Sequence, residues 1–570
     1  MATFRTSVSS RISRVEKKRP AYVFVVGGVI SGVGKGITAS SIAKIIQSRG
    51  FTVTAMKIDP YVNVDAGTMN PTEHGEVFVL DDGYETDQDL GNYERFLNIT
   101  IPSGNYMTTG RVYQAVIDRE RNLGYKGQCV QVVPHIPLEV VRRIKKAGKD
   151  ADADVVVIEI GGTVGEYENI LFLEAVRMLK SEMPEKVAVV MVSYVPMPPK
   201  VGEMKTKPTQ HASRLLNSAG LQADVIIARS ELPLDKKRKD KIATFCNIAS
   251  ERVISAPDAD SIYDIPVNFE RDDLGDVMLR LLSLPPRERD MAHWRRFAAR
   301  TKSVTDTVKV AVVGKYFDTG DFVLSDAYIS VIEAIKHAAY HVDKKPELTW
   351  FSAERFEDSK ELAKLGAYDG IIVPGGFGER GIEGKLNVIR YAREKKIPYF
   401  GLCYGMQLLT IEYARHVAGL KGANTAEIDA KAPHVVIDIM EDQRKKLEHG
   451  DYGGSMRLGA YPAVLKKGTI ARDAYKKEDI RERHRHRYEV NPEYITRLTD
   501  AGLVFSGTSP DGRLMEIAEL PREKHPFFLG TQFHPEFLSR PLHPHPLFVA
   551  FVKASTERKK KQKKDKRKKR

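Results

Sequence analysis

From Ala21 onward the chain alternates β-branched runs with helical stretches, which restricts it to parallel sheet covered by helices. Strand-like runs fall at Tyr22–Val26, Val53–Ile58, Val155–Ile160, Val187–Val195 and Val225–Ala228. The alternation stops at Leu284-Pro285-Pro286, where a polar stretch as far as Thr307 reads as a linker with a helical piece around Trp294. It resumes at Val308–Gly314 and continues through Gly370–Val373, Ile397–Phe400 and Phe527–Gln532. A chain of 570 residues has room for roughly two to four domains. The pattern divides it into α/β domains at 20–285 and 308–556, with a linker at 286–307. Basic segments at 1–19 and 557–570 are expected to be disordered.

The formal net charge of +14 invites a nucleic-acid reading until the charge is located. Residues 558–570 carry a net +10 and residues 1–19 a net +5, which leaves −1 for everything between. The basicity belongs to two tails, so no nucleic-acid partner is expected for the globular body. No stretch of about 18 uncharged apolar residues occurs, so no membrane span is expected. The first tail is rich in Ser, Thr and Arg but lacks the apolar face of a transit peptide, and reads as an extension. Cys129, Cys246 and Cys403 are too few and too scattered for a disulfide framework or a zinc site, which fits a cytoplasmic protein.

In the first domain, Tyr22–Val26 runs into Gly27-Gly28-Val29-Ile30-Ser31-Gly32-Val33-Gly34-Lys35-Gly36, and a helix-like run follows from Ile37. Backbone N–H groups of such a loop close on phosphate oxygens, and the lysine adds a point charge. The loop departs from the common phosphate-loop pattern. Five residues rather than four separate Gly28 from Gly34-Lys35, and Gly36 stands where Ser or Thr is usual. Phosphoryl transfer needs Mg2+, which takes one or two carboxylates, and Asp89 and Glu159 are suitably placed to supply them. Lys205-Thr206-Lys207-Pro208-Thr209-Gln210-His211 concentrates cations and hydrogen-bonding groups in one loop, suited to a second phosphorylated ligand. The bland counterparts are a glycine-rich turn, solvated acids and a lysine-rich surface loop.

In the second domain, Gly401-Leu402-Cys403-Tyr404-Gly405 follows an apolar run and has the form of a nucleophile elbow. A nucleophilic thiol there would stand at the positive end of a helix. Pro374-Gly375-Gly376-Phe377-Gly378 follows another strand and would offer backbone N–H groups to an oxyanion, together with the amide of Tyr404. Downstream, His534 and Glu536 lie two apart, on one face if the backbone is extended, as a base and its orienting carboxylate. A lone buried cysteine is usually inert. The order of oxyanion loop, elbow and His-Pro-Glu is that of a class I glutamine amidotransferase.

With these pieces in place, the chain from about Ala21 to Thr556 resembles the CTP synthase family. The likeness is carried by Gly27–Ser31 with Gly34-Lys35-Gly36, Lys57–Tyr61, His74–Val79, Gly91–Phe96, Lys205–His211, Met456–Gly459 and Arg483–Val490. The resemblance implies an N-terminal P-loop-like, dethiobiotin-synthetase-like parallel-sheet synthetase domain and a C-terminal class I glutaminase α/β domain. It implies that ATP phosphorylates O4 of UTP and that ammonia from L-glutamine displaces the phosphate to give CTP. By the same likeness Gly32, Val33, Gly34, Lys35, Gly36, Ile37 and Asp89 hold ATP and Lys57 assists at the transferred phosphoryl group. Asp89 and Glu159 would bind Mg2+. Ser31, Lys205, Thr206, Lys207, Pro208, Thr209, Gln210 and Lys241 would contact UTP. Inhibitory CTP would meet Glu166, Tyr167 and Glu168, with Glu166 in place of the commoner Asp. Glutamine contacts fall on Gly376, Tyr404, Gly405, Met406, Gln407, Glu427 and Arg487, where Tyr404 replaces the common leucine. Arg457 would lie in a lid loop linked to activation by GTP, and His74 would line an ammonia passage. Relatives of this kind are homotetramers, some of which form filaments.

Other readings share parts of this pattern. A cobyrinate- or cobyrate-type amidase-synthetase also pairs an ATP domain with a glutaminase-like domain, but Lys205–Gln210 and Arg483–Val490 argue against it. A non-catalytic scaffold would have no use for Lys35 or for Cys403, His534 and Glu536. A partitioning ATPase leaves the second domain unexplained.

Overall fold

The computed structural model describes residues 19–200, 202–315, 325–448 and 453–568. The first body is built on a seven-stranded sheet. Its order is Tyr106–Thr108, Val53–Asp59, Val155–Ile160, Ala21–Gly28, Val187–Tyr194, Val225–Ser230 and Val253–Pro257. Every pairing in it is parallel. The strands are rich in Val and Ile and buried on both faces, as helices packed on each side require. One face carries a core that includes Ile42, Phe96 and Trp294, and the other a core that includes Val140, Phe172 and Leu216.

Two features of this body escaped the sequence reading. Tyr106–Thr108 and Val253–Pro257 are strands too short or too mixed to stand out. The helical piece expected in the linker is the helix Ala292–Ser303, and what was not foreseen is that it seats Trp294 and Phe297 in the first domain's core. Trp294 Nε1 donates to Tyr263 O at 2.9 Å. The stretch is thus a structural part of the first body, because its two buried aromatics outweigh its polar surroundings.

The second body has a nine-stranded mixed sheet. Five strands are mutually parallel: Lys345–Ser352, Thr307–Gly314, Gly370–Val373, Tyr399–Leu402 and Phe528–Thr531. An antiparallel extension follows through Met515–Glu519, Val504–Thr508, Arg457–Leu465 and Asp479–His486. This half was not foreseen. Asp479–His486 is charged at almost every position, so it shows no apolar alternation.

Its buried charges face the first domain. Arg483 donates to Asp81 Oδ1 at 2.5 Å, to Val79 O at 3.1 Å and to both carboxylate oxygens of Glu94 at 2.9 and 3.0 Å. Arg540 reaches the same Glu94 at 2.7 Å, and the rings of Phe78 and Phe537 meet edge-on at 5.0 Å. Breaking such a buried pair by removing one partner costs about 3–5 kcal/mol. The two bodies are therefore fastened into one unit.

The last described element is the helix Pro546–Lys568, which extends into the segment 557–570 expected to be disordered. Arg558 donates to Tyr368 O and Lys559 to Thr307 Oγ1. A lysine-rich run without Gly or Pro favours helix and extends one already docked. The basic extension at 1–18 lies outside the described residues.

Candidate functional site

Cys403 stands between the buried strand Tyr399–Leu402 and the helix Tyr404–His416. Its backbone lies at φ 50 and ψ −99, and such conformations cost a non-glycine residue about 1–3 kcal/mol. The flanking glycines allow the turn. A Cβ on Gly405 would lie 2.3 Å from Val373 O, and one on Gly401 2.6 Å from the Gly405 backbone. The turn sets the thiol at the carboxyl edge of the sheet, at a helix N-terminus. Sγ is 3.7 Å from Gln532 Nε2 and 3.7 Å from Arg485 O.

His534 Nδ1 lies 2.7 Å from Glu536 Oε1. The pair does not meet through extended backbone, as the spacing suggested; the 3-10 turn Pro535–Leu538 brings them together. Among the described residues Nε2 is buried without a nitrogen or oxygen partner, and the Cys403 sulfur acts on the ring. Burial disfavours the imidazolium, but Glu536 and Cys403 outweigh it and lift the pKa from 6.5 to about 10. The oxyanion loop lies against this pair, since a Cβ on Gly375 would stand 3.0 Å from His534 Cε1 and 3.8 Å from Cys403 Cβ.

A cavity of about 550 Å3 opens onto Cys403 and His534. Gly376, Tyr404, Gln407, Glu427 and Arg487 all line it. Gly405 belongs to the turn itself, and Met406 is buried in the core behind it. Glu427 Oε1 accepts from Gly378 N at 2.7 Å, and burial raises its carboxyl pKa despite that bond. Arg487 donates to Gln443 Oε1 and Ser455 Oγ, each at 2.9 Å. Tyr404 has a reason to be aromatic: Lys385 Nζ, wholly buried, lies 5.1 Å from its ring centroid. Sequence reasoning missed Lys385 because it sits in an ordinary helical pattern. The far wall comes from the first domain, through Gly67, Pro71, Glu76 and Val77. His74, expected to line a passage, is exposed and tilts against Tyr61 at 5.1 Å.

A second centre forms where Ala21–Gly28, Val53–Asp59 and Val155–Ile160 end. Lys57 Nζ lies 2.5 Å from Asp89 Oδ2, 2.9 Å from Glu159 Oε1 and 3.7 Å from Asp59 Oδ1. Burial alone would lower its pKa, but the surrounding carboxylates hold it well above the usual value. Tyr93 Oη donates to Glu159, and Asp87 aims Asp89 by capping the helix Gln88–Leu97. Tyr93, Asp59 and Asp87 had no role in the sequence reading, because nothing local marks which acids converge.

Lys35 Nζ donates to Gly162 O at 2.9 Å, and burial lowers its pKa. Gly32 and Gly34 take φ of 69 and 90, leaving the loop open. Val33 is buried, so it offers a ligand only its backbone, and Ile37 packs partly on the same core. Gly36 explains the departure from the common pattern. A Cβ there would lie 1.9 Å from Asp89 Oδ1, so the carboxylate occupies the place of the usual hydroxyl side chain. Gly36→Ser is therefore expected to displace Asp89 and reduce synthesis from ammonium by at least about tenfold. Retained ATP-dependent rates would contradict this.

The cation-rich loop proves to be the N-terminus of the helix Lys207–Ser218, which Pro208 suits at its start. It abuts the phosphate loop: Ser193 Oγ donates to Thr209 Oγ1 at 2.9 Å, and a Cβ on Gly28 would lie 2.6 Å from Ala212 Cβ. Gln210 Nε2 donates to Thr206 Oγ1 at 3.1 Å. Lys205 is 2.8 Å from Glu203, and Lys241 acts on the same carboxylate. Glu166 accepts from Thr163 N at 2.8 Å and from Thr163 Oγ1 at 2.5 Å, closing the turn that Lys35 also touches. Ser31, Tyr167 and Glu168 are exposed.

A parallel-sheet body with a glycine-rich loop and Lys35, joined across a shared cavity to a body that carries Cys403, His534 and Glu536, has the build of an ATP-dependent glutamine amidotransferase. Residues 21–284 match the family model described as CTP synthase N-terminus, and residues 323–554 that of class I glutamine amidotransferase. A CTP synthase of Geobacillus kaustophilus is 50% identical over 94% of this chain and 99% of its own. One from Thermococcus gammatolerans is 51% identical over 94% and 99%. A solved Trypanosoma brucei CTPS glutaminase domain with bound acivicin is 36% identical, covering 44% of this chain and 94% of that one, at TM-score 0.41. The chain belongs to the CTP synthase family. It is a ligase of pyrimidine biosynthesis that converts UTP to CTP with ATP and glutamine.

Proposed function

We propose that the two centres run successive half-reactions joined by the cavity between them. The observation that carries this is the cavity's lining, with Cys403 and His534 on one side and Glu76 and Val77 of the first domain on the other. Ammonia in water is mostly ammonium and then not nucleophilic, so making it beside its point of use keeps it neutral.

In the glutaminase centre, Glu427 and Arg487 orient the amino and carboxylate ends of glutamine, with Gly376 and Gln407 beside them. With the thiol proton held on His534, the Cys403 sulfur attacks the amide carbon. Backbone N–H groups of the Gly375-Gly376 loop and Tyr404 hold the oxyanion. His534 returns the proton to the departing ammonia, then activates the water that hydrolyses the thioester to glutamate.

In the synthetase centre, Gly32–Ile37 with Lys35 cradle ATP, and Lys57 neutralises charge on the γ-phosphoryl group as it moves to O4 of UTP. Ser31, Lys205–Gln210 and Lys241 hold UTP. CTP would reach Glu166–Glu168 and inhibit. Ammonia then attacks C4 and phosphate leaves, giving CTP, ADP and phosphate.

Among the described residues no group of three His, Cys, Asp or Glu side chains stands ready to hold a metal alone. Asp89 and Glu159 nevertheless fit Mg2+: both offer hard oxygens, and phosphates complete its shell. When bound, Mg2+ would screen the phosphate charge. Arg457, ion-paired to Glu489 at 3.1 Å and Glu516 at 2.8 Å, would anchor the loop that answers to GTP. Homotetramers, with filaments as a further assembly, and a cytoplasmic setting complete the reading. It is tested by following UTP-to-CTP conversion by absorbance with ATP, Mg2+ and either glutamine or ammonium; no conversion with either would refute it.

Glu536→Gln removes the main charge sustaining the His534 imidazolium. Glutaminase kcat is expected to fall by roughly 10²–10⁴-fold. The raised His534 pKa stabilises the wild-type fold fully below its usual 6.5, and this is lost as pH rises through about 10. The variant should lack most of that pH dependence in denaturant melts compared at low and high pH.

A further inference from the structure

The cavity crosses the seam between the domains, and something must close that seam. On the first-domain side its wall is Glu76 and Val77; on the second-domain side it is Ala327, Tyr328 and Val331. Ser330, buried between the last two, faces Glu76. Its backbone N–H donates to the two carboxylate oxygens at 3.2 and 3.3 Å, and its hydroxyl donates to Oε2 as well. Arg95 Nη1 donates to Ser330 Oγ at 3.1 Å, and its other arm is held by Asn92 Oδ1 at 3.0 Å. Glu76 thus takes the first turn of the helix Ile329–His341, an element of the other domain. Burial pushes the Glu76 carboxyl up to about 8, against the opposing Ser330 and Arg95 and with a smaller contribution from Glu536.

We infer that Glu76 is a positioning residue that stitches the two domains together along the cavity wall, so that ammonia made at Cys403 reaches the synthetase centre before it escapes. The inference rests on the proposed division of labour between Cys403 and the first domain. Glu76 is held by Ser330 rather than aimed at Cys403. Its effect is on the tightness of the seam, and therefore on the fraction of ammonia delivered. Loss of the carboxyl group leaves the Ser330 N–H and hydroxyl without their acceptor and lets water into the wall.

The test uses the full-length protein and its Glu76→Ala, Glu76→Gln and Ser330→Ala variants. Each is given amide-15N glutamine, ATP, UTP and Mg2+ with excess unlabelled ammonium chloride. Glutamate per CTP and the 15N content of CTP are measured. The wild type is expected to release close to one glutamate per CTP and to pass most of the label. Glu76→Ala should raise glutamate per CTP by about threefold or more and dilute the label, with glutaminase and ammonium-driven rates within about twofold of wild type. Glu76→Gln and Ser330→Ala, each keeping part of the contact, should fall between. Wild-type stoichiometry and labelling in Glu76→Ala would overturn the inference. So would parallel loss of all activities, which marks mere packing. Free mixing of ammonium into CTP by the wild type would overturn the shared passage itself, a result read before any variant.

Discussion

Cys403→Ala is expected to abolish glutamine-dependent CTP formation, by about 10³-fold or more, while ammonium-driven formation stays near the wild-type rate. The sulfur has no substitute in its pocket: its neighbours are Gln532 Nε2 and Arg485 O, neither a nucleophile. Alanine keeps a Cβ at the strained position and asks nothing new of the turn. The synthetase centre lies in a different sheet, around Lys57, and contains no atom of the elbow. Parallel assays with glutamine and with ammonium chloride check the expectation. Loss of both activities would mean that the two centres are not separable as argued.

Lys35→Ala is the complementary case. It should lower CTP synthesis by roughly 10²–10³-fold or more with either nitrogen source, as removal of a preorganised charge at a transferring phosphoryl group does. Lys35 makes one described hydrogen bond, to Gly162 O, so the variant loses little structure. Lys57 is a poorer choice for this test, because three carboxylates depend on it for charge balance. Alkylation of Cys403 by a glutamine analogue should proceed normally in Lys35→Ala. Synthesis at the wild-type rate would show that the loop does not hold ATP. Loss of Cys403 alkylation would show that the damage is general.

The legible parts of the chain were those where one short segment carries the whole requirement. An elbow needs two glycines around a nucleophile, and Gly401, Cys403 and Gly405 supply it within five residues. The glycine-rich loop was equally visible, although its odd last position made sense only once Asp89 was seen against Gly36. Strands buried on both faces announced themselves by their Val and Ile content. The antiparallel edge did not, because Arg457–Leu465 and Asp479–His486 bury charges against partners far away in the chain. Arg483 is the clearest instance, since its carboxylates, Asp81 and Glu94, lie in the other domain.

By itself, the amino-acid order determined the two α/β bodies, the grouping of Cys403, His534 and Glu536, the open glycine-rich turn before Lys35 and, through shared blocks, the family. These rest on local geometry, where spacing of a few residues settles which groups can meet. The tertiary structure alone decided which acids surround Lys57, why Tyr404 is aromatic over Lys385, and that Glu76 rather than His74 forms the cavity wall. Those contacts depend on how two sheets dock. Docking is set by the summed burial of many residues across the seam, a quantity that no short segment carries.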